Sequence, residues 1–280
     1  MSRQASAGSW IAAAVVVVAI GAGGVYLARR AMHPAEPAAP ASAPAPTAPA
    51  ATATAPAIAH PITQAAAPPS ASSAPLPALE QSDDDVAAAL ANLAGADNLR
   101  GLLVNRQIIA RIVATVDALP RRALGTSVLP LQPPRGDTVT VDANGMTTLG
   151  EQNSARYAPY MRIVQAVDPQ ALVGWYVHAY PLFQQAYRQL GYPKGYFNDR
   201  LVAAIDDMLA APEPAQPAAL TFSNGFYRYS DPSLESLSAG QKLLLRTGPA
   251  NEALIKAKLR AIRAQLIGQP LPAATGAAAG

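Results

Sequence analysis

The chain has 280 residues, with 21 Lys+Arg against 18 Asp+Glu and no cysteine, which excludes disulfides, thiolate nucleophiles and Cys-ligated zinc. The basic pI of about 9.2 points to nucleic acid only until the charges are located. Arg3, Arg29 and Arg30 sit near the start, and from Leu76 onward 18 basic residues face 17 acidic ones, so no nucleic-acid partner is expected of this nearly neutral body.

After a short tail (residues 1–8), residues 9–28 read SWIAAAVVVVAIGAGGVYLA without a charge. At about 1.5 Å per residue this length matches the roughly 30 Å hydrocarbon core of a bilayer. Trp10 and Tyr26 fall at its two ends, where amphipathic rings favour the interface. Cleaved signal peptides have a shorter apolar core and a small-residue cleavage site, whereas Arg29-Arg30 follow directly here. A single retained transmembrane helix is expected, with the lipid bilayer as its partner. Arg29 and Arg30 against Arg3 weakly favour a cytoplasmic C-terminal side. Residues 29–75 then repeat Pro every few positions among Ala. Proline stops helix and sheet propagation, and too few large apolar groups are present to offset ordering entropy. This stretch reads as a disordered spacer, reaching on the order of 140 Å at about 3.1 Å per residue. The tail, residues 268–280, reads the same way.

Residues 76–267 carry the signals of one soluble, mainly helical domain. Ser82 and Asp83–Asp85 look like the cap of a first helix, with acids at the positive end of its dipole. A second helix is expected from Leu102 to Leu119, with Ile108, Ile109, Ile112 and Val116 along one face. Asp168-Pro169 is an N-cap followed by proline at the first helical position. It opens a long helix with the stripe Leu172, Tyr176, Tyr180, Phe183, Tyr187 and Leu190, and Pro181 predicts a kink or break inside it. Further helices run from Asn198 to Leu209, from the capping box Ser238–Gln241 to Arg246, and from Gly248-Pro249 to Leu266. Residues 137–149 around Asn144-Gly145, and 221–229 around Asn224-Gly225, read as one or two small β-hairpins.

Chemistry is harder to find. The domain holds one histidine, His178, placed mid-helix between Val177 and Ala179, where a packed or surface role is expected. No HExxH, GxSxG, P-loop or GxGxxG pattern occurs, so no catalytic residue, cofactor or metal is proposed. Asp206 and Asp207 are adjacent on one helix and face different directions. Two features suit a partner instead. Aromatic residues crowd between Tyr157 and Tyr229; at helical spacing most of them read as core, the remainder as contact surface. Lys242, Arg246, Lys256, Lys258, Arg260 and Arg263 form a C-terminal basic set, either a solvated helix face with Glu252–Lys256 as an i,i+4 pair or a docking face for an acidic partner.

YPLFQQAYRQLGYP (residues 180–193), FNDRLVAAIDDMLAAP (197–212), SAGQKLLLRTGPAN (238–251), RQIIARIVATVDALPR (106–121) and LPALEQSDDDV (76–86) together resemble domain-of-unknown-function family 3014. The resemblance implies a membrane-anchored envelope protein of Gram-negative bacteria, held in the inner membrane with its domain in the periplasm. It supplies no activity and no catalytic residues. The polar positions of those motifs, Arg188, Asp199, Arg200, Asp206, Gln241, Lys242 and Arg246, are either site residues or caps and ion pairs. The expectation is a tethered binding or scaffolding module that meets an envelope protein or a wall or lipid polymer. Arg188, Lys242 and Arg246 would contact an acidic partner, with Tyr187 and Tyr192 as aromatic contacts. The competing classes are a cell-wall or lipid hydrolase using scattered acids such as Asp199 or Asp206, and a cytoplasm-facing adaptor.

Overall fold

Helix signals in the sequence become helices in the computed structural model, which describes residues 57–65 and 75–268. The transmembrane helix expected over residues 9–28 lies outside the described residues, as do most of the spacer and all of the tail after Gly268. Among the described residues, no helix is long and apolar enough to cross a membrane. The body is mainly helical with one small antiparallel sheet.

The chain enters through α1 (Asp83–Ala94), α2 (Ala96–Leu99) and α3 (Ile108–Ala118). Here the local cap signals are redirected. Ser82 Oγ donates back to the Leu79 carbonyl at 2.8 Å rather than capping α1. Asp83 crosses to α3, where its carboxylate accepts the N–H groups of Gln107 and Ile108 at 2.6 and 2.7 Å. Two donors that α3 cannot satisfy internally are thereby paired. That helix starts at Ile108 and not at Leu102, because the preceding backbone pairs elsewhere: Val104 N–H donates to Pro130 and Gln132 N–H donates to Leu102.

Next come α4 (Gln152–Ala155), α5 (Ala158–Ala166), α6 (Pro169–Gln189) and α7 (Phe197–Leu209). Asp168 caps α6 by accepting Ala171 N–H at 2.7 Å. The helix runs unbroken through Pro181, which is exposed, the position where water replaces the lost hydrogen bond most cheaply. The chain ends with α8 (Pro232–Glu235), α9 (Ala239–Thr247) and α10 (Pro249–Leu266). The expected capping box at Ser238 and Gln241 is complete. At the centre, α6 packs on α3 and α10, and α10 packs on α7 and α9. Ile112, Val116, Phe183, Ile205, Met208, Ile255 and Leu259 are buried between them. The aromatic stripe belongs to this core: Phe183 stacks on Phe197 at 5.6 Å, with Tyr176 edge-on at 5.2 Å.

The basic C-terminal set does not form one solvated face. Lys256 is buried, ion-paired with Glu252 at 2.9 Å and Glu213 at 2.7 Å. Lys258 donates to the Val167 carbonyl, and Arg263 pairs with Asp206.

The hairpins are β1 (Thr140–Ala143) with β2 (Met146–Leu149), and β3 (Leu220–Ser223) with β4 (Phe226–Tyr229). Each closes on its Asn-Gly pair, with positive φ at both residues, as a tight twisted hairpin requires. Thr147 pairs with Leu220, joining them into one sheet of order β1-β2-β3-β4. Leu220 and Tyr229 point inward, while Val141, Met146 and Phe226 stay exposed on the other face.

Candidate functional site

The residues singled out in the sequence fall in two places. Tyr187 is buried on α6 and stacks on half-buried Tyr192, ring centres 4.6 Å apart. The Tyr192 hydroxyl donates to Asp117 Oδ2 at 3.2 Å and accepts from Arg121 at 2.6 Å. Asp117, itself buried, also accepts from Arg200 Nε at 3.0 Å and pairs with Arg121. The two tyrosines therefore wall an ion cluster centred on buried Asp117, and burial, with the Asp117 charge nearby, raises the pKa of Tyr187. Arg188 is exposed on the same helix.

Lys242 and Arg246 lie elsewhere, one turn apart on α9, and both line an open groove of about 330 Å³. Two exposed arginines that sequence reasoning passed over, Arg122 and Arg228, line it as well. Phe226 and Leu243 supply apolar surface, and Glu235 is the one acid in the lining. Lys242 Nζ donates to the Glu235 carbonyl at 2.9 Å and lies 3.4 Å from its carboxylate. Arg246 donates one N–H to the Tyr227 carbonyl at 3.1 Å, and its guanidinium carbon sits 5.7 Å from the centre of the Tyr229 ring. This contact anchors the arginine and leaves further N–H donors of its fork for a ligand.

Behind Arg246 the surface opens again into a cleft of about 350 Å³, which Arg246, Asn153 and Tyr229 also line. The hydroxyls of Tyr157 and Tyr229 are fully buried, that of Tyr157 near Asn153 and that of Tyr229 near Arg246. Burial raises both phenol pKa values, that of Tyr229 to about 12, against the opposing pull of Arg246. At neutral pH both are hydroxyl donors.

Three elements converge to make this arrangement. The capping box starts α9 at a fixed residue, which places Lys242 and Arg246 on one face. The Asn224-Gly225 turn fixes the β3–β4 register, so Phe226 and Arg228 share a face of β4. The Ala239 and Gly240 N–H groups donate to the Arg121 and Leu119 carbonyls, drawing the segment after α3 against α9. Arg121 then serves the Asp117 cluster while Arg122 lines the groove. A dibasic pair after Pro120 and an arginine alternating with tyrosines were the available sequence signals, but neither specifies a groove.

The acids considered for hydrolysis are engaged. Asp206 pairs with Arg263, and Asp199 accepts backbone N–H groups from Ala59 and His60. Among the described residues, no group of three or more His, Asp and Glu side chains converges on a metal position.

A family model described as protein of unknown function (DUF3014) matches residues 108–263. The chain belongs to this family. The DUF3014 match runs from the start of α3 almost to the end of α10 and contains every groove arginine; residues 76–86, part of the resemblance noted above, precede it. No curated protein and no solved structure matches the chain.

Proposed function

We propose that the chain is a tethered binding module of the cell envelope. Residues 9–28 hold it in the inner membrane, the Ala/Pro-rich stretch carries the body away from the bilayer into the periplasm, and the α9 groove takes an anionic group of a partner. The observation that carries this reading is the convergence of Arg122, Arg228, Lys242 and Arg246 on one groove with a single opposing acid, on a body whose charges otherwise nearly balance. Four cations facing one acid focus a positive potential inside a concave surface. Arginine forks match carboxylate and phosphate geometry, and Arg246 lines both the groove and the cleft behind it.

The test uses the full chain in detergent micelles and a fluorescein-labelled oligoglutamate peptide as the anionic probe. Wild type binds, and affinity falls as salt rises from 50 to 300 mM. Arg122→Glu/Arg228→Glu weakens binding at least about tenfold, because each reversal replaces attraction with repulsion at close range. Arg260→Glu, on the exposed face of α10, leaves it unchanged. Equal binding by the groove variant and wild type overturns the proposal.

A further inference from the structure

Residues 57–65 lie within the stretch read from sequence as spacer, yet they rest on the start of α7 through a specific set of contacts. Asp199 accepts the backbone N–H groups of Ala59 and His60 at 3.1 and 2.6 Å. Asn198, 1% exposed, donates from its side-chain nitrogen to the His60 carbonyl at 2.8 Å. The oxygen of the same amide accepts from the buried Tyr176 hydroxyl at 3.2 Å, so the amide is fixed with its nitrogen toward the strap. Beyond Pro61 the segment closes a single 3-10 turn, Ile62–Gln64, and Ile62 and Ala65 pack on the domain core.

These bonds all reach the backbone of the strap. Two consecutive donors and the carbonyl that follows them are read by one carboxylate and one oriented amide, and Ile62 supplies the apolar anchor. The chain bends at Ala59 and His60, which turns their successive N–H groups toward one carboxylate. Main-chain bonds of this kind hold a peptide with tolerance of sequence, and the apolar contact of Ile62 adds selectivity. A buried amide committed to a partner at the surface is costly when that partner leaves, which is unusual where only a spacer passes. Proline at position 61 restricts the free segment and lowers the entropy lost on docking.

We propose that the shelf formed by Asn198, Asp199 and the core surface on which Ile62 packs is a peptide-binding site. Its ligand class is a short, proline-containing apolar segment that bends ahead of its proline, and residues 57–65 are its resident ligand in cis. Docked, the strap moves the tether's point of attachment from residue 75 back to residue 57, which removes 18 residues from the free tether, about 56 Å of reach at roughly 3.1 Å per residue. Released, it restores that reach and opens the shelf to an equivalent segment of another chain. The site is separate from the α9 groove, and either proposal stands if the other fails.

Hydrogen exchange on the full chain in micelles tests the docking. In wild type the amides of Ala59 and His60 exchange slowly. In Asp199→Ala they exchange at least tenfold faster, while α3 and α10 keep their protection, which separates release from unfolding. Ile62→Asp empties the shelf from the strap side and leaves Asn198 and Asp199 intact. A synthetic peptide of residues 57–65 then binds Ile62→Asp in the submillimolar range, seen as a shift of the Asn198 side-chain amide in NMR spectra. It does not bind Ile62→Asp/Asp199→Ala. Unchanged exchange in Asp199→Ala, or no peptide binding to Ile62→Asp, overturns the proposal.

Discussion

Asp117 shows how one side chain ties distant segments together. It sits on α3 and is surrounded by Arg121, Arg200 and Tyr192, so three chain regions meet at one carboxylate. Removing it leaves Arg200 partly buried without its counter-ion, a change that costs more than the pair contributes. Asp117→Ala is expected to lower the unfolding free energy by about 3 kcal/mol in urea titration. Arg121→Ala, whose side chain is 52% exposed, should cost less than about 1 kcal/mol; comparable losses would contradict this account. The buried phenols set an alkaline limit. The folded pKa of Tyr229 is raised to about 12 by burial, against about 10 in the unfolded chain. Its neutral form is favoured on folding, so the contribution is full below pH 10 and is lost as pH rises through 10 to 12. Tyr157, Tyr160 and Tyr176 shift the same way by burial. Tyr229→Phe should therefore reduce, without abolishing, the fall in melting temperature between pH 9 and 12. An identical slope would refute it.

At the scale of elements, short-range signals worked where both partners of a contact are close in sequence. The capping box at Ser238 and Gln241, the proline starts of α6 and α10, and both Asn-Gly turns formed where expected, because each satisfies its own backbone groups within a few residues. Gly248 belongs to this group. It joins α9 to α10 at φ 90° and ψ 156°, a conformation nearly confined to glycine, and a Cβ there would fall on Ser154 Oγ. Gly248→Ala should cost at least about 2 kcal/mol, measured by thermal or urea unfolding; a loss under half of that would show that the junction relaxes. The signals misled where the partner is remote. Asp83 looked like the cap of its own helix and instead caps α3, and residues 102–104 pair with residues 130–132. Nothing within the local window distinguishes these outcomes.

For the molecule as a whole, the proposed anchor, tether and groove give a body that samples a volume near the membrane and meets anionic partners there. Periplasmic exposure makes a definite prediction. Alkaline phosphatase fused after Gly280 should be active in intact cells, while a fluorescent protein that matures only in the cytoplasm should stay dark at the same position. The reverse pattern would place the body on the cytoplasmic side and remove wall polymers from the candidate partners. The near-neutral body and the concentration of cations in one groove also make the interaction sensitive to ionic strength, since its charges face solvent across an open cavity.

By itself the sequence determined α1, α6, α7, α9 and α10, the body of α3, the two turns, the apolar stripes and the family resemblance, which depend on contacts within a few residues or on a pattern repeated along one element; α2, α4, α5 and α8 were not read from it. It named Lys242 and Arg246 as basic positions of a motif shared with the family. Only the tertiary structure decided that Arg122 and Arg228 join them, that Lys256 is buried, that Tyr187 and Tyr192 wall an ion cluster, and that residues 57–65 dock on α7. The physical reason is one of range. Local hydrogen bonding and periodicity are written in neighbouring residues, whereas a groove or a shelf is set by packing between segments far apart in the chain, and its charges acquire meaning only once that packing places them together.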